Sequence, residues 1–323
     1  MIYDISVIIP IYNSEKFLDA TMLSVINQDM FNKLEIILIN DGSIDNSLKI
    51  CEKYKSKYSN IKVYSQNNSG VSTARNVGIK KSTGKYVTFL DSDDEIDNNL
   101  YSNIFSAIEK SQSDIFIFDF DKVHIDGSIV KYRGEIKKEW ITSESAMLDF
   151  FSGIIGNQVV DKIFKREVIK EIEFPCNYKI GEDMYFMYLA IKNSNFITMD
   201  SSICGYHYIV RENSAMTSNF NSSFFDCVKL SEKILRDYEC NKNVLPYAKA
   251  HLVHEICKSL EYIYKNNAQS FCKLEVEKME RYIKKYKVKN AKKYLTNRQF
   301  FGFVLMKYCP SFYLSVHKMM KIG

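Results

Sequence analysis

The 323-residue chain has four prolines, twelve glycines and a single tryptophan. Scarce breakers together with 43 tyrosine and phenylalanine residues argue against disorder. Eight cysteines are scattered at 51, 176, 204, 227, 240, 257, 272 and 309, and none forms a CxxC pair. That absence speaks against a disulfide framework or a zinc site and fits reduced thiols of the cytosol. No apolar run approaches the ~20 residues needed to span a bilayer. The start, MIYDISVIIPIYN, lacks a basic region and a small-residue cleavage site, so no signal peptide is read. The expectation is a cytoplasmic chain, soluble or peripheral on a membrane.

The net charge of +5 is unevenly spread. From Lys278 onward twelve Lys/Arg face one acid, Glu280, giving +11; the preceding 277 residues carry −6. A basic end on a mildly acidic body suits an anionic surface. Nucleic acid is not expected, because the basic run belongs to no recognised module.

Strand and helix patterns alternate through the first third. Ile5 to Ile11 and Leu34 to Ile39 are near-continuous apolar runs, as strands buried on both faces require. Further strands are read at Ile61 to Tyr64, Tyr86 to Leu90 and Asp114 to Phe120. Helices fall between them: one capped by Ser14, one carrying Ile44, Leu48, Cys51 and Tyr58, one over Ser72 to Ser82 and one near Tyr101 to Lys110. Such alternation gives an α/β fold with a mostly parallel sheet, whose ligands collect at the carboxyl ends of strands. In the middle, Trp140 to Phe151 and Gly181 to Asn193 read as helical and Val159 to Phe164 as extended. From Ser222 the pattern is helical almost throughout.

Three acids, Asp91, Asp93 and Asp94, follow the strand Tyr86 to Leu90. A turn or helix cap accounts for one of them. Three together repel, and a hard cation such as Mg²⁺ or Mn²⁺, which prefers carboxylate oxygens, would relieve that repulsion. Asp91 and Asp93 can reach a shared ion.

The acids have companions in a fixed order: SVIIPIYN at Ser6 to Asn13, NDGSIDNS at Asn40 to Ser47, NNSGVSTARNVGI at Asn67 to Ile79 and FLDSDD at Phe89 to Asp94. This series resembles the family 2 glycosyltransferases, inverting enzymes of GT-A fold. The likeness runs through residues 4 to 120 and continues to about Thr217, through GED at Gly181 to Asp183 and YHYIVRENSAMT at Tyr206 to Thr217. It implies a GT-A domain over 1–217, with a donor half to about 120 and an acceptor half beyond, and a helical region over 218–323.

It also implies roles. Pro10, Tyr12, Asn13 and Ser92 would line a nucleotide-sugar pocket, and Asp41 would hydrogen-bond the base or ribose of a uridine nucleotide. Gly70 would admit backbone close to the donor, and Arg75 would meet its phosphates or the acids behind them. Asp91 and Asp93 would hold the metal, Mn²⁺ or Mg²⁺, with His207 as a further ligand candidate. Asp183 would be the general base, with Glu182 and Lys162 as acceptor-contact candidates, although a solvated lysine is the ordinary reading of the latter. Arg211 and Ser214 are candidates for diphosphate contact. The expected reaction moves a sugar, from a UDP-sugar, to a glycan or lipid-linked acceptor in surface polysaccharide assembly.

Two other classes fit parts of the pattern. A strand followed by DxDx[TV] marks haloacid-dehalogenase-type phosphatases, but here the fifth position is Glu95 and the other motifs have no place. A non-catalytic sugar-nucleotide binder or membrane-docked partner would keep the fold without turnover. Finally, Phe300 to Met306 and Phe312 to Met320 interleave aromatics with Lys307, Lys318 and Lys321. This pattern fits an interfacial helix on anionic lipid and, equally, a helix docked on the protein by its aromatic stripe.

Overall fold

A computed structural model describes residues 3–211 and 222–310; Ser214 and the apolar positions 312–320 lie outside them. The chain forms two compact units: Met1–Ser143, Gln158–Asn177 and Leu189–Ala215 make the first, and Glu144–Asn157, Tyr178–Tyr188 and Met216–Gly323 the second. The second unit is therefore not one run of chain starting at 218. It takes in two stretches of the middle region.

The first unit is built on an eight-stranded sheet. Strands β1 (Ile5–Ile11), β2 (Leu34–Asp41), β3 (Ile61–Gln66) and β4 (Tyr86–Phe89) are parallel, in spatial order β3-β2-β1-β4. Every residue of β1 and β2 is buried, as their unbroken apolar runs demand. A small second sheet starts with β5 (Glu95–Ile96). The large sheet continues with β6 (Ile115–Ile117), while β7 (Phe120–Val123) and β8 (Ile129–Lys131) join the small one. The single strand expected over 114–120 is thus two strands in two sheets, parted at Asp119. Strands β9 (Lys137–Thr142), β10 (Lys162–Lys165) and β11 (Phe196–Asp200) complete the order β4-β10-β6-β11-β9, and β12 (Tyr206–Ile209) lies between β5 and β7. Trp140 sits on edge strand β9 rather than in a helix, with φ 54° beside a register shift between Ile197 and Met199. The extra residue of a bulge accommodates that backbone and blunts the edge.

Helices α1 (Leu18–Ile26), α2 (Ser47–Lys57), α3 (Val71–Lys81) and α4 (Leu100–Ser111) cover the parallel half. Leu18, Met22, Cys51, Tyr54 and Ile104 share one core with Ile5, Val7 and Ile9 of β1, so α1, α2 and α4 lie on that face. Ile8, pointing the other way, meets α3. A Cβ on Gly78 would stand 2.3 Å from its Cγ2, so glycine sets how closely the helix seats.

The remaining helices are α5 (Ser143–Phe151), α6 (Arg166–Ile169), α7 (Glu182–Asn193), α8 (Asp226–Asp237), α9 (Leu245–Lys265), α10 (Lys273–Lys285), α11 (Val288–Tyr294) and α12 (Asn297–Tyr308). On α9, Val253, Ile256, Leu260 and Ile263 recur every three or four residues and join the second unit's core with Val276, Met279, Phe303 and Met306. A capping box, Thr296 with Gln299, starts α12. Of the aromatic stripe, Phe303 and Met306 are buried in this core and Phe300, Val304 and Leu305 pack against it. Phe301 stays mostly exposed, at 57 %. Lys307 donates to the carbonyls of Ile283, Lys284 and Tyr286, the open end of α10. Over 300–307 the docked helix is what forms. Among the described residues no helix is long and apolar enough to cross a membrane.

Candidate active site

An open pocket of about 480 Å³ lies at the carboxyl ends of β1, β2 and β4. Its wall contains Pro10, Tyr12, Asn13, Asp41, Gly70, Asp91, Ser92 and Asp93. Four motifs far apart in sequence thus meet in one place. Sequence reasoning missed the apolar part of the wall, Phe17, Val71 and Ala74, and the polar Ser14 and Asn68. Asn68 sat unmarked inside a quoted motif; Phe17 carried no signal of its own.

The turn after β1 is shaped by hydrogen bonds to the turn after β2. Asn13 has φ 50°, a left-handed conformation that asparagine tolerates. Its N–H donates to Ser43 Oγ (3.1 Å), and its side-chain oxygen accepts from Ile44 N–H (2.9 Å). Tyr12, 48 % exposed, stands at the rim. Ser14 does not cap a helix with its side chain. Its hydroxyl lies 2.7 Å from Ser92 Oγ, joining the first motif to the acidic one, and α1 begins only at Leu18.

Asp41 is buried at the end of β2. Its Oδ1 accepts from Gln66 Nε2 (2.7 Å) and Ser69 N–H (2.8 Å), and its Oδ2 from Gly70 N–H (2.8 Å). The carboxylate therefore holds the turn that opens α3. A carboxylate has about four acceptor positions, so three bonds leave room for a ligand donor. Gly70 has φ 87°, and a Cβ there would meet nothing within 4 Å. Backbone conformation, rather than crowding within the protein, calls for glycine at this position.

The acids past β4 are distinct. Asp91 accepts from Arg75 Nη2 at 3.1 Å. Arg75 is buried on α3, with its guanidinium carbon 6.0 Å from the Phe89 ring and 5.4 Å from the Phe174 ring. Asp93 accepts from Arg211 Nε at 3.2 Å, while Arg211 Nη2 donates to the Asp93 carbonyl. Burial, and then the charge of Asp91, push the Asp93 carboxyl above its ordinary range. Asp94 turns inward, 1 % exposed. It accepts from Tyr206 Oη (2.6 Å) and Ile209 N–H (2.9 Å), and burial followed by the Asp91 charge raises it to about 8. Asp94 thus straps β12 to the cluster.

Strand alternation sends His207 to the face opposite Tyr206, where its Nε2 lies 2.9 Å from Asp97 Oδ1. His207 thus pairs through one ring nitrogen with a carboxylate outside the Asp91 and Asp93 pair. Among the described residues no three His, Cys, Asp or Glu side chains gather as a group able to hold a metal ion. Two carboxylates nevertheless fit a hard cation: both line the pocket, one residue apart past the end of β4. A magnesium-like ion commonly takes one or two carboxylates and fills its other positions with phosphate and water.

The reading of Lys162 is corrected. It is wholly buried, its ammonium donating to Asp161 Oδ1 and the Gln158 carbonyl, beside an Asp161–Arg133–Asp119 ion-pair chain. An ammonium so enclosed is neither solvated nor presented to an acceptor. Glu182 and Asp183 open α7 in the second unit, half-buried. Gly181 before them has φ 89°, and a Cβ there would stand 2.9 Å from Cys227 Sγ on α8. The acidic pair is therefore presented from a turn seated tightly on that helix.

Comparison with known proteins names the class. Residues 6–173 match the model of glycosyl transferase family 2, and the chain belongs to that family. It is 33 % identical over 229 residues to the minor teichoic acid biosynthesis protein GgaB of Bacillus subtilis, covering 69 % of this chain and 25 % of GgaB. It is 31 % identical over 232 residues to the poly(ribitol-phosphate) beta-N-acetylglucosaminyltransferase TarS of Staphylococcus aureus, covering 70 % of this chain and 39 % of TarS. The chain thus spans well under half of either relative. The crystal structure of S. aureus TarS 1–349 in complex with UDP-GlcNAc matches with TM-score 0.64 at 26 % identity, over 89 % of this chain and 82 % of that one. The fold is GT-A with a helical carboxyl-terminal region. Membership leaves the phosphatase reading without support.

Proposed function

We propose that the chain is an inverting, metal-dependent glycosyltransferase that moves a sugar from a UDP-sugar to a hydroxyl of a glycan or lipid-linked acceptor during surface polysaccharide assembly. The observation that carries this is the convergence of Asp41, Gly70, Asp91 and Asp93 on one pocket at the strand ends. The similarity to TarS bound to UDP-GlcNAc supports a uridine donor.

In this reading Tyr12 and Asp41 bind the nucleoside, Asp41 through its remaining acceptor position. Gly70, without a side chain, leaves the pocket floor open to the sugar nucleotide. Asp91 and Asp93 would hold a divalent ion, which when bound offsets the charge growing on the diphosphate leaving group. Arg75 orients Asp91. Asp183 takes the proton of the incoming hydroxyl; a single base suffices when attack comes from the face opposite the leaving group. Glu182 would contact the acceptor beside it. The exposed lysines at 284, 285, 287, 289, 292 and 293 support peripheral contact with an anionic membrane, tested by sedimentation with anionic against neutral vesicles.

The deciding experiment is a panel of UDP- and GDP-sugars screened by thermal shift with Mn²⁺. One uridine donor should raise the melting temperature above UDP alone. A response to GDP-sugars only, or to none, would overturn the donor assignment.

A further inference from the structure

Both acids of the proposed metal site face a guanidinium, and the two pairs differ in kind. Arg75 leaves helix α3 and lies between two phenylalanine rings, its side chain 5 % exposed. Nothing about it is built to move. Arg211 follows the end of β12, its side chain is 28 % exposed, and its guanidinium carbon lies 3.6 Å from the centre of the Phe17 ring. Phe17 itself lines the pocket. Arg211 therefore rests on the pocket wall and holds Asp93 at both carboxylate and carbonyl.

We propose that Arg211 closes Asp93 to cations until a nucleotide diphosphate arrives, so that the divalent ion binds with the donor and not before it. This rests on the glycosyltransferase reading above and adds an order of binding to it. A fixed positive charge 3.2 Å from the carboxylate oxygen opposes a second cation at that oxygen. A diphosphate offers the planar guanidinium two charged oxygens at once, where Asp93 offers one charged oxygen and a neutral carbonyl. When Arg211 transfers to the diphosphate, Asp93 is freed as the ion's ligand. Arg75 stays on Asp91 Oδ1 throughout. The two arginines thus divide the work: one is a permanent counter-ion, and the other is exchanged for the metal.

The test measures Mn²⁺ binding to the full chain by electron paramagnetic resonance of free Mn²⁺, with and without UDP. Wild type should bind weakly alone and about tenfold or more tightly with UDP. Arg211→Gln should raise the UDP-free affinity about fivefold, as loss of one competing ion pair implies, and shrink the UDP effect. Phe17→Leu, which removes the ring under the guanidinium, should act in the same direction by about twofold, and Arg211→Lys should stay near wild type. In an Asp93→Asn background the Arg211→Gln effect should vanish. Unchanged UDP-free affinity in both Arg211→Gln and Phe17→Leu would overturn the proposal. If UDP fails to tighten Mn²⁺ binding in wild type, the donor reading beneath it falls instead.

Discussion

Glu35 near the amino end of β2 and Asp93 past the carboxyl end of β4 are acids of the same sheet held under opposite conditions. Glu35 is wholly buried, yet its oxygens accept from Ser6 Oγ (2.5 Å), Thr83 N–H (2.7 Å), Thr83 Oγ1 (2.9 Å) and the Lys62 ammonium. Burial alone would raise its pKa; the bonds from Lys62, Ser6 and Thr83 outweigh that and hold it low. At the other edge Asp93 and Asp94 are crowded by burial and by Asp91, and their carboxyls are raised. One edge spends its acid on the fold. The other keeps its acids crowded, with fewer bonds than burial and mutual charge demand, as sites of binding and catalysis commonly do.

The contrast can be broken by mutation. Asp93→Ala should lower sugar transfer about a thousandfold and remove the Mn²⁺-dependent thermal shift by UDP, with the unliganded melting temperature unchanged or raised. A fall of several degrees would mean that Asp93 serves the fold as Glu35 does. Asp183→Asn should lower transfer about a hundredfold while donor binding, read by the same shift, persists. Full transfer in that variant would remove Asp183 from the role of base.

Glu35→Gln should do the reverse: a loss of about 2 kcal/mol in denaturant unfolding, because the buried partners of the carboxylate lose their charged acceptor, with KM for donor intact. The pH dependence sharpens this further. A carboxyl whose folded pKa lies below its unfolded value of 4.5 stabilises above that value and loses its contribution as pH falls through the folded pKa. The stability gap between wild type and Glu35→Gln should therefore narrow on acidification below about pH 4.5. A gap that widens would reverse the assignment. Smallest in scope, Gly78→Ala should cost about 1–3 kcal/mol by forcing α3 off Ile8, again with little change in KM.

What was legible in the sequence follows a physical boundary. Buried parallel strands announce themselves as unbroken apolar runs, so β1, β2 and β4 could be read in advance; the eight pocket residues came from the resemblance of four motifs to a known family, with Asp91 and Asp93 marked also by their crowding. The partner of Asp93 could not be. Arg211 stands 118 residues away, and nothing local marks which acid it will meet. Lys162 misled because a lysine in an extended run is ordinarily solvated; its burial depends on Asp161 beside it and Arg133 from a distant loop. Asp119 parted a run that looked like a single strand.

The strap from Asp94 to β12 spans 112 residues to Tyr206 and 115 to Ile209. A ribosome adds about 5–20 residues per second, so roughly 6–24 s separate emergence of the acids from emergence of the strand that organises them. Every strand of the parallel half is complete long before then. During that interval the nascent sheet carries its acidic cluster without Tyr206, Ile209 or Arg211. Assembly of this pocket is therefore a late event in the life of the chain, and the first 120 residues carry the four motifs without the closing strand.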